Sequence, residues 1–205
     1  MSESSAELAD RVLAQRVLAV VRSTDAATAL RNARAALDAG LRSIEVTFTT
    51  PDATGVIAQL VRDYPDAIIG AGTVLDVLSA QQAMAAGARF FVSPHVAPDV
   101  VEFAVANGLP AYPGAGTVTE VISAMRSGAA AVKVFPASAI GPSFIRDTLG
   151  PLPDAKLVPT GGIAVGDAPA WIEAGAVAVG LGSGLTKGEP AEVADRVRAL
   201  LAAVA

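Results

Sequence analysis

The sequence predicts an α/β fold: a single (β/α)8 barrel of the TIM type with a short N-terminal helix, occupying residues 1–205 as one domain. Three observations predict it. Short Val/Ile-rich runs alternate with helical stretches along the whole chain. Glycine recurs at the same point of the repeating unit. The 205 residues hold eight such units, which fits a closed barrel at its compact limit.

Strands are expected at 17–22, 43–48, 67–73, 89–94, 109–113, 130–135, 156–160 and 177–181. Between them lie stretches such as 26–39 and 78–86, with apolar residues near a 3.6-residue period. Five helices run into a glycine just before the next strand, at Gly40, Gly87, Gly108, Gly128 and Gly175, the left-handed position that ends a helix. Asp25, Asp52, Asp76 and Asp167 stand where helices begin, with Pro51, Pro98, Pro142, Pro169 and Pro190 nearby. Ser4-x-x-Glu7 reads as a capping box that opens the first helix, expected to run to about Arg16. An open doubly wound sheet is the structural alternative. Its dinucleotide fingerprint needs a glycine-rich turn after the first strand, and Val21-Arg22-Ser23-Thr24 has none. No linker-like or low-complexity stretch marks a second domain.

Composition narrows the function. Hydrophobic residues make up 52%, but no apolar run reaches the roughly 18 residues of a membrane span. The first residues lack the basic and apolar regions of a secretory signal. There is no cysteine, so no disulfide, thiolate metal site or cysteine nucleophile, which suits a reducing cytoplasm. A net charge of −5 argues against nucleic acid as a partner. His95 is the only histidine, and no cluster of ligand-type side chains suggests a metal.

One lysine stands out. The chain has three lysines against twelve arginines, and Lys133 interrupts the apolar run Ala130-Ala131-Val132-Lys133-Val134-Phe135. Burying an unpaired ammonium is costly, and desolvation favours the neutral amine that a Schiff-base nucleophile requires. The bland alternative is a lysine that snorkels to water from the strand's end. Barrel sites collect at the carboxyl ends of strands. Those ends supply Arg22, Glu45 with Thr47 and Thr49, Thr73, Pro94, Lys133 with Phe135, Thr160-Gly161-Gly162 and Gly182-Ser183. Glu45 is the natural proton partner for Lys133, although a buried ion pair without chemistry is the alternative. The glycine turns after strands seven and eight can offer backbone N–H groups to a phosphate. Arg22 can add a charge-assisted contact or simply lie at the rim. His95 fits rim polarity or a substrate contact.

These motifs together resemble the 2-keto-3-deoxy-6-phosphogluconate (KDPG) and 4-hydroxy-2-oxoglutarate aldolases. The resemblance is carried by Ile44-Glu45-Val46-Thr47, Gly70-Ala71-Gly72-Thr73-Val74, Val92-Ser93-Pro94, Lys133-Val134-Phe135-Pro136, Pro159-Thr160-Gly161-Gly162 and Gly180-Leu181-Gly182-Ser183. It implies a class I aldolase on a homotrimeric barrel that needs neither metal nor organic cofactor. Its substrate would be a 2-keto-3-deoxy sugar acid phosphate, cleaved to pyruvate and D-glyceraldehyde 3-phosphate. It makes Lys133 the Schiff-base lysine and Glu45 the general acid/base. Thr73 would contact the pyruvate carboxylate, Pro94 and Phe135 would line the pocket, and Thr160 would touch substrate. Gly161, Gly162, Gly182 and Ser183 would hold the phosphate. Many members have an arginine where this chain has Thr49, which leaves Arg22 as its substitute and the sugar epimer open. The phosphogalactonate epimer and 4-hydroxy-2-oxoglutarate remain alternative substrates. Two rivals also remain: another barrel lyase or isomerase in which Lys133 only binds charge, and a non-catalytic or engineered barrel scaffold.

Overall fold

The structure is a computed structural model that describes residues 3–205. In chain order its elements are α1 (Ser5–Leu13), β1 (Val17–Val21), α2 (Ala26–Asp38), β2 (Ser43–Thr47), α3 (Ala53–Asp63), β3 (Ile68–Gly72) and α4 (Val77–Ala85). There follow β4 (Phe91–Val92), α5 (Pro98–Ala106), β5 (Ala111–Tyr112), β6 (Gly114–Ala115), α6 (Val118–Arg126) and β7 (Val132–Val134). The last third comprises α7 (Ala137–Ile140), α8 (Ser143–Leu149), β8 (Leu157–Pro159), α9 (Ala168–Glu173), β9 (Val179–Leu181), α10 (Ser183–Thr186) and α11 (Pro190–Val204).

The strands form a curled parallel sheet covered by helices. One hydrogen-bonded piece has the order β5-β4-β3-β2-β1-β9 and the other β6-β7-β8. The fifth strand, expected to end at Pro113, appears as β5 and resumes beyond it as β6, because Pro113 between them has no N–H to give the ladder. Its carbonyl still accepts from the Lys133 N–H at 2.9 Å.

Strand alternation sorts the side chains into two apolar layers. Val17, Ala19, Val21, Ile44, Val46, Ile69, Val132, Val134 and Leu157 pack outward against the helices. Leu18, Ile68, Phe90, Tyr112, Ala131, Val158 and Ala178 fill the inside of the curve. Leu8, Val12 and Leu13 of α1 join this inner cluster at the amino end of the strands. There the Ser43 hydroxyl donates to the Val12 carbonyl at 2.6 Å, and Phe90 and Tyr112 meet edge to face. The amino end is therefore sealed, and the inward positions nearer the carboxyl end are left for polar groups.

Most of the expected punctuation is present. Ser4 and Glu7 form the capping box of α1, and the carboxylates of Asp25, Asp52 and Asp76 accept from the backbone N–H three residues on. Gly40, Gly87, Gly108, Gly128 and Gly175 all have positive φ. The structure differs at three points. α1 stops at Leu13 rather than Arg16, because Arg16 takes a left-handed turn (φ 59) that redirects the chain into β1. Asp167 makes no capping bond, since a 3-10 turn over Val165–Asp167 leads directly into α9. Several strands are shorter than expected, down to the two residues of Phe91–Val92, because their flanks lack regular ladder pairing.

Candidate active site

Lys133 lies in the middle of β7, where Val132 and Val134 face the helices and Lys133 faces inward. It is 7% exposed, and Nζ sits 5.2 Å from the centre of the Phe135 ring. A cation over an aromatic face is attracted to the ring, and this contact fixes where the amine points. Among the described ion pairs none involves Lys133, whereas Lys156 is tied to Asp10 at 2.8 Å.

Glu45 occupies the equivalent inward position of β2, paired in register with Val20 and Gly70. It is 1% exposed, and neither carboxylate oxygen has a hydrogen-bond partner among the described residues. Burial pushes its carboxyl pKa upward; the charges of Lys133 and then Arg22 pull it back only in part. Glu45 therefore holds its proton to higher pH than an ordinary glutamate. It makes no direct ion pair with Lys133, so the buried-pair alternative is not what the side chains adopt.

Lys133 lines a cavity of about 250 Å³ at the carboxyl end of the sheet. Arg22, Phe135, Thr160, Gly161, Gly162, Gly182 and Ser183 line it with the lysine, as the sequence predicts. The glycine turns are pinned in place. The Thr160 and Gly161 carbonyls accept from Ala137 and Ser138 at 2.9 Å each, and the Phe135 ring packs where a Gly161 side chain would stand. The Thr186 hydroxyl donates to the Val20 carbonyl at 3.2 Å and ties α10 to β1.

Four predicted residues are not in the wall of this cavity. Thr49 faces an adjoining cleft of about 640 Å³, which shares Arg22 and Ser183 with the first cavity. Its hydroxyl lies 2.9 Å from that of Thr47. Glu45 stands deeper, within electrostatic reach of Lys133. Thr73, with φ 55, turns the chain at the end of β3, and Pro94 follows β4 beside Gly114. Gly184, which closes the glycine turn expected after strand eight, lines the cavity too, as do Val20 and Ile163, which sequence reasoning missed. Only the inward parity of Val20 with Arg22 on one strand was available as a signal. His95 is exposed and contributes its carbonyl, which accepts from Gly114 at 2.9 Å. A separate groove of about 350 Å³, between Leu37–Leu41 and Asp63–Ala67, lies toward the amino ends of β2 and β3 and is lined by no buried polar side chain.

A buried lysine and a proton-holding carboxyl beside two glycine turns, at the carboxyl edge of a parallel α/β sheet, form a site suited to carbonyl chemistry on an anionic ligand. Comparison with known proteins agrees. The KDPG and KHG aldolase family matches residues 8–200, and the chain belongs to that family. The 2-dehydro-3-deoxy-phosphogluconate aldolase of Treponema pallidum is 45% identical over 98 residues, 48% of this chain and 47% of that protein. This match thus spans about half of the relative's length. The 2-dehydro-3-deoxy-6-phosphogalactonate aldolase of Escherichia coli is 35% identical over 171 residues, covering 82% of this chain and 83% of that one. Among solved structures, the KDPG aldolase of Legionella pneumophila, with pyruvate captured as a covalent carbinolamine, superposes with a TM-score of 0.84 at 27% identity, covering 97% and 98% of the two chains. Among the described residues no helix is long and apolar enough to cross a membrane.

Proposed function

We propose that this protein is a class I aldolase that cleaves 2-dehydro-3-deoxy-6-phosphogluconate to pyruvate and D-glyceraldehyde 3-phosphate. The observation that carries the reading is Lys133, a buried lysine in the wall of the cavity that has no ion-pair partner among the described residues, beside a carboxyl group that keeps its proton. The Lys133 amine attacks the C2 ketone, and the Glu45 carboxyl gives a proton so that the carbinolamine loses water. The resulting iminium withdraws the electron pair of the C3–C4 bond as the Glu45 carboxylate takes the C4 hydroxyl proton. The aldehyde departs, the enamine is protonated at C3, and water returns pyruvate and the free lysine. Thr73 contacts the carboxylate of the pyruvyl half, while Pro94, Phe135 and Thr160 shape the pocket. Gly161, Gly162, Gly182 and Ser183 hold the phosphate, and Arg22 and Thr49 act at its far side. Carbinolamine capture of pyruvate by the Legionella pneumophila relative supports the lysine chemistry.

A second reading, the 6-phosphogalactonate epimer as preferred substrate, is favoured by the long match to the Escherichia coli enzyme. The sheet closes into a complete (β/α)8 barrel in this proposal. Support comes from the Val177 N–H donating to the Leu157 carbonyl at 3.0 Å, the Thr160–Gly180 bridge, and the Ala130 N–H donating to Ala111 at 3.0 Å. The barrel works as a cytoplasmic homotrimer. A cage designed from symmetric oligomeric domains, 32% identical with a TM-score of 0.86, supports assembly, as do Leu75 and Leu78, which are 52% and 64% exposed.

Borohydride in the presence of pyruvate tests the chemistry. One reduced adduct on Lys133 is expected, with loss of pyruvate release in Lys133→Ala. Labelling of Lys156 or Lys187 instead, or full turnover by the alanine variant, refutes it.

A further inference from the structure

We infer that Gly72 is a positioning residue for the Glu45 carboxyl group, and that its missing side chain is the seat in which that carboxyl stands. A Cβ built on Gly72 would lie 2.6 Å from Glu45 Oε1, 2.8 Å from its Cδ and 3.2 Å from Thr47 Cγ2. Nonbonded carbon atoms settle about 3.5–4.0 Å apart, so the first two contacts are overlaps, while the Thr47 methyl has only a few tenths of an ångström to yield. Nothing in the backbone demands glycine here. Gly161 and Gly162 have φ of 95 and 75, whereas Gly72 is not among the residues with positive φ.

The register explains why the seat is at Gly72. Glu45 pairs with Gly70 and Thr47 with Gly72, so β3 presents two successive inward glycines to β2. The lower space, over Gly70, is filled by the Phe90 ring. The Glu45 side chain therefore leans up its strand and rests over Gly72. Neither of its oxygens is hydrogen-bonded among the described residues, so no hydrogen bond sets the height of the carboxyl relative to Lys133, and the space over Gly72 does. A methyl group at residue 72 meets the Glu45 carboxyl first, and its three nearest contacts include neither the lysine, the glycine turns nor Arg22.

The inference rests on the proposed proton-transfer role of Glu45, and the experiment separates the two. kcat, KM and the pH–rate profile of pyruvate release are measured for the parent, Gly72→Ala, Glu45→Asp, the double variant of these two, and Glu45→Gln. Misplacement by about 1 Å costs up to about a hundredfold in rate. Gly72→Ala is therefore expected to lower kcat about ten- to a hundredfold, to shift the pH profile, and to leave KM within about twofold. In the Glu45→Asp background the carboxyl ends one methylene short of the seat, and the same alanine is expected to cost less than about threefold. Parental kcat and profile in Gly72→Ala, or an equal alanine penalty in both backgrounds, overturns the inference. If Gly72→Ala does not fold, Gly72→Ala/Glu45→Ala decides: a restored cooperative unfolding transition supports the seat, and continued failure to fold overturns it. Parental turnover by Glu45→Gln removes the proton role instead, and the unfolding temperatures of the same set then judge the steric pairing.

Discussion

Glu45→Gln should disable the proposed aldol cleavage and yet make the fold less sensitive to alkali. In the parent, burial raises the Glu45 pKa above its ordinary value of 4.5. Well below pH 4.5 the folded and unfolded chains both carry its proton, and stability is complete. Above that pH the unfolded chain releases the proton while the folded chain retains it. Stability then falls by about 1.4 kcal/mol per pH unit until the folded carboxyl also ionises. Glutamine has no such proton to lose, so the stability of the variant relative to the parent rises with the same slope. For a chain of this size that is roughly 3 to 6 °C of unfolding temperature per pH unit. The buried amide brings its own pH-independent cost of about 1–3 kcal/mol, because neither Glu45 oxygen has a partner among the described residues to offer it. The slope, and not the offset, is the signature. Thermal unfolding of both proteins, followed by circular dichroism from about pH 5 to about pH 8, reads it directly. A gap that stays constant or narrows as pH rises refutes the reasoning and makes Glu45 an ordinary ionised carboxylate in the folded chain.

Two further outcomes are expected. A side chain on Gly180 would overlap the Thr160 hydroxyl directly across the β8–β9 bridge, so Gly180→Ala should cost about 1–3 kcal/mol in denaturant unfolding and slow pyruvate release; parental values in both assays would discount Thr160. Leu8 of α1 is 2% exposed inside the inner cluster, so Leu8→Ala should lose about 2–5 kcal/mol by the same unfolding measurement while KM is unchanged. A loss under about 1 kcal/mol would mean that α1 does not seal the sheet.

The sequence revealed the site through contrast. Lys133 was legible because a charge among alanine and valine is anomalous, and Asp25, Asp52, Asp76 and the five terminal glycines because caps act within three or four residues along the chain. What escaped depends on distant partners. Gly70 and Gly72 read as motif glycines, but their reason is the Phe90 ring and the Glu45 carboxyl lying over them. Pro113 read as a strand end, yet its carbonyl carries the ladder on to Lys133, a pairing formed only after α6 returns the chain. The shift of Thr49 into the neighbouring cleft and the unbonded state of Glu45 are likewise products of packing between strands.

The apolar plug of Leu18, Phe90, Tyr112 and Val158 beneath the lysine layer, with α1 as its stopper, makes the reaction chamber a cul-de-sac. Traffic through the open carboxyl end is ordered by geometry. In the proposed chemistry the keto acid half is tethered at the back wall, and the aldehyde stands between it and the exit. The aldehyde is the first to leave, and the water that frees the pyruvyl group enters through the space it vacates. Run backwards, the same corridor must admit the keto acid before the aldehyde, so the order of events is written into which end of the sheet is shut.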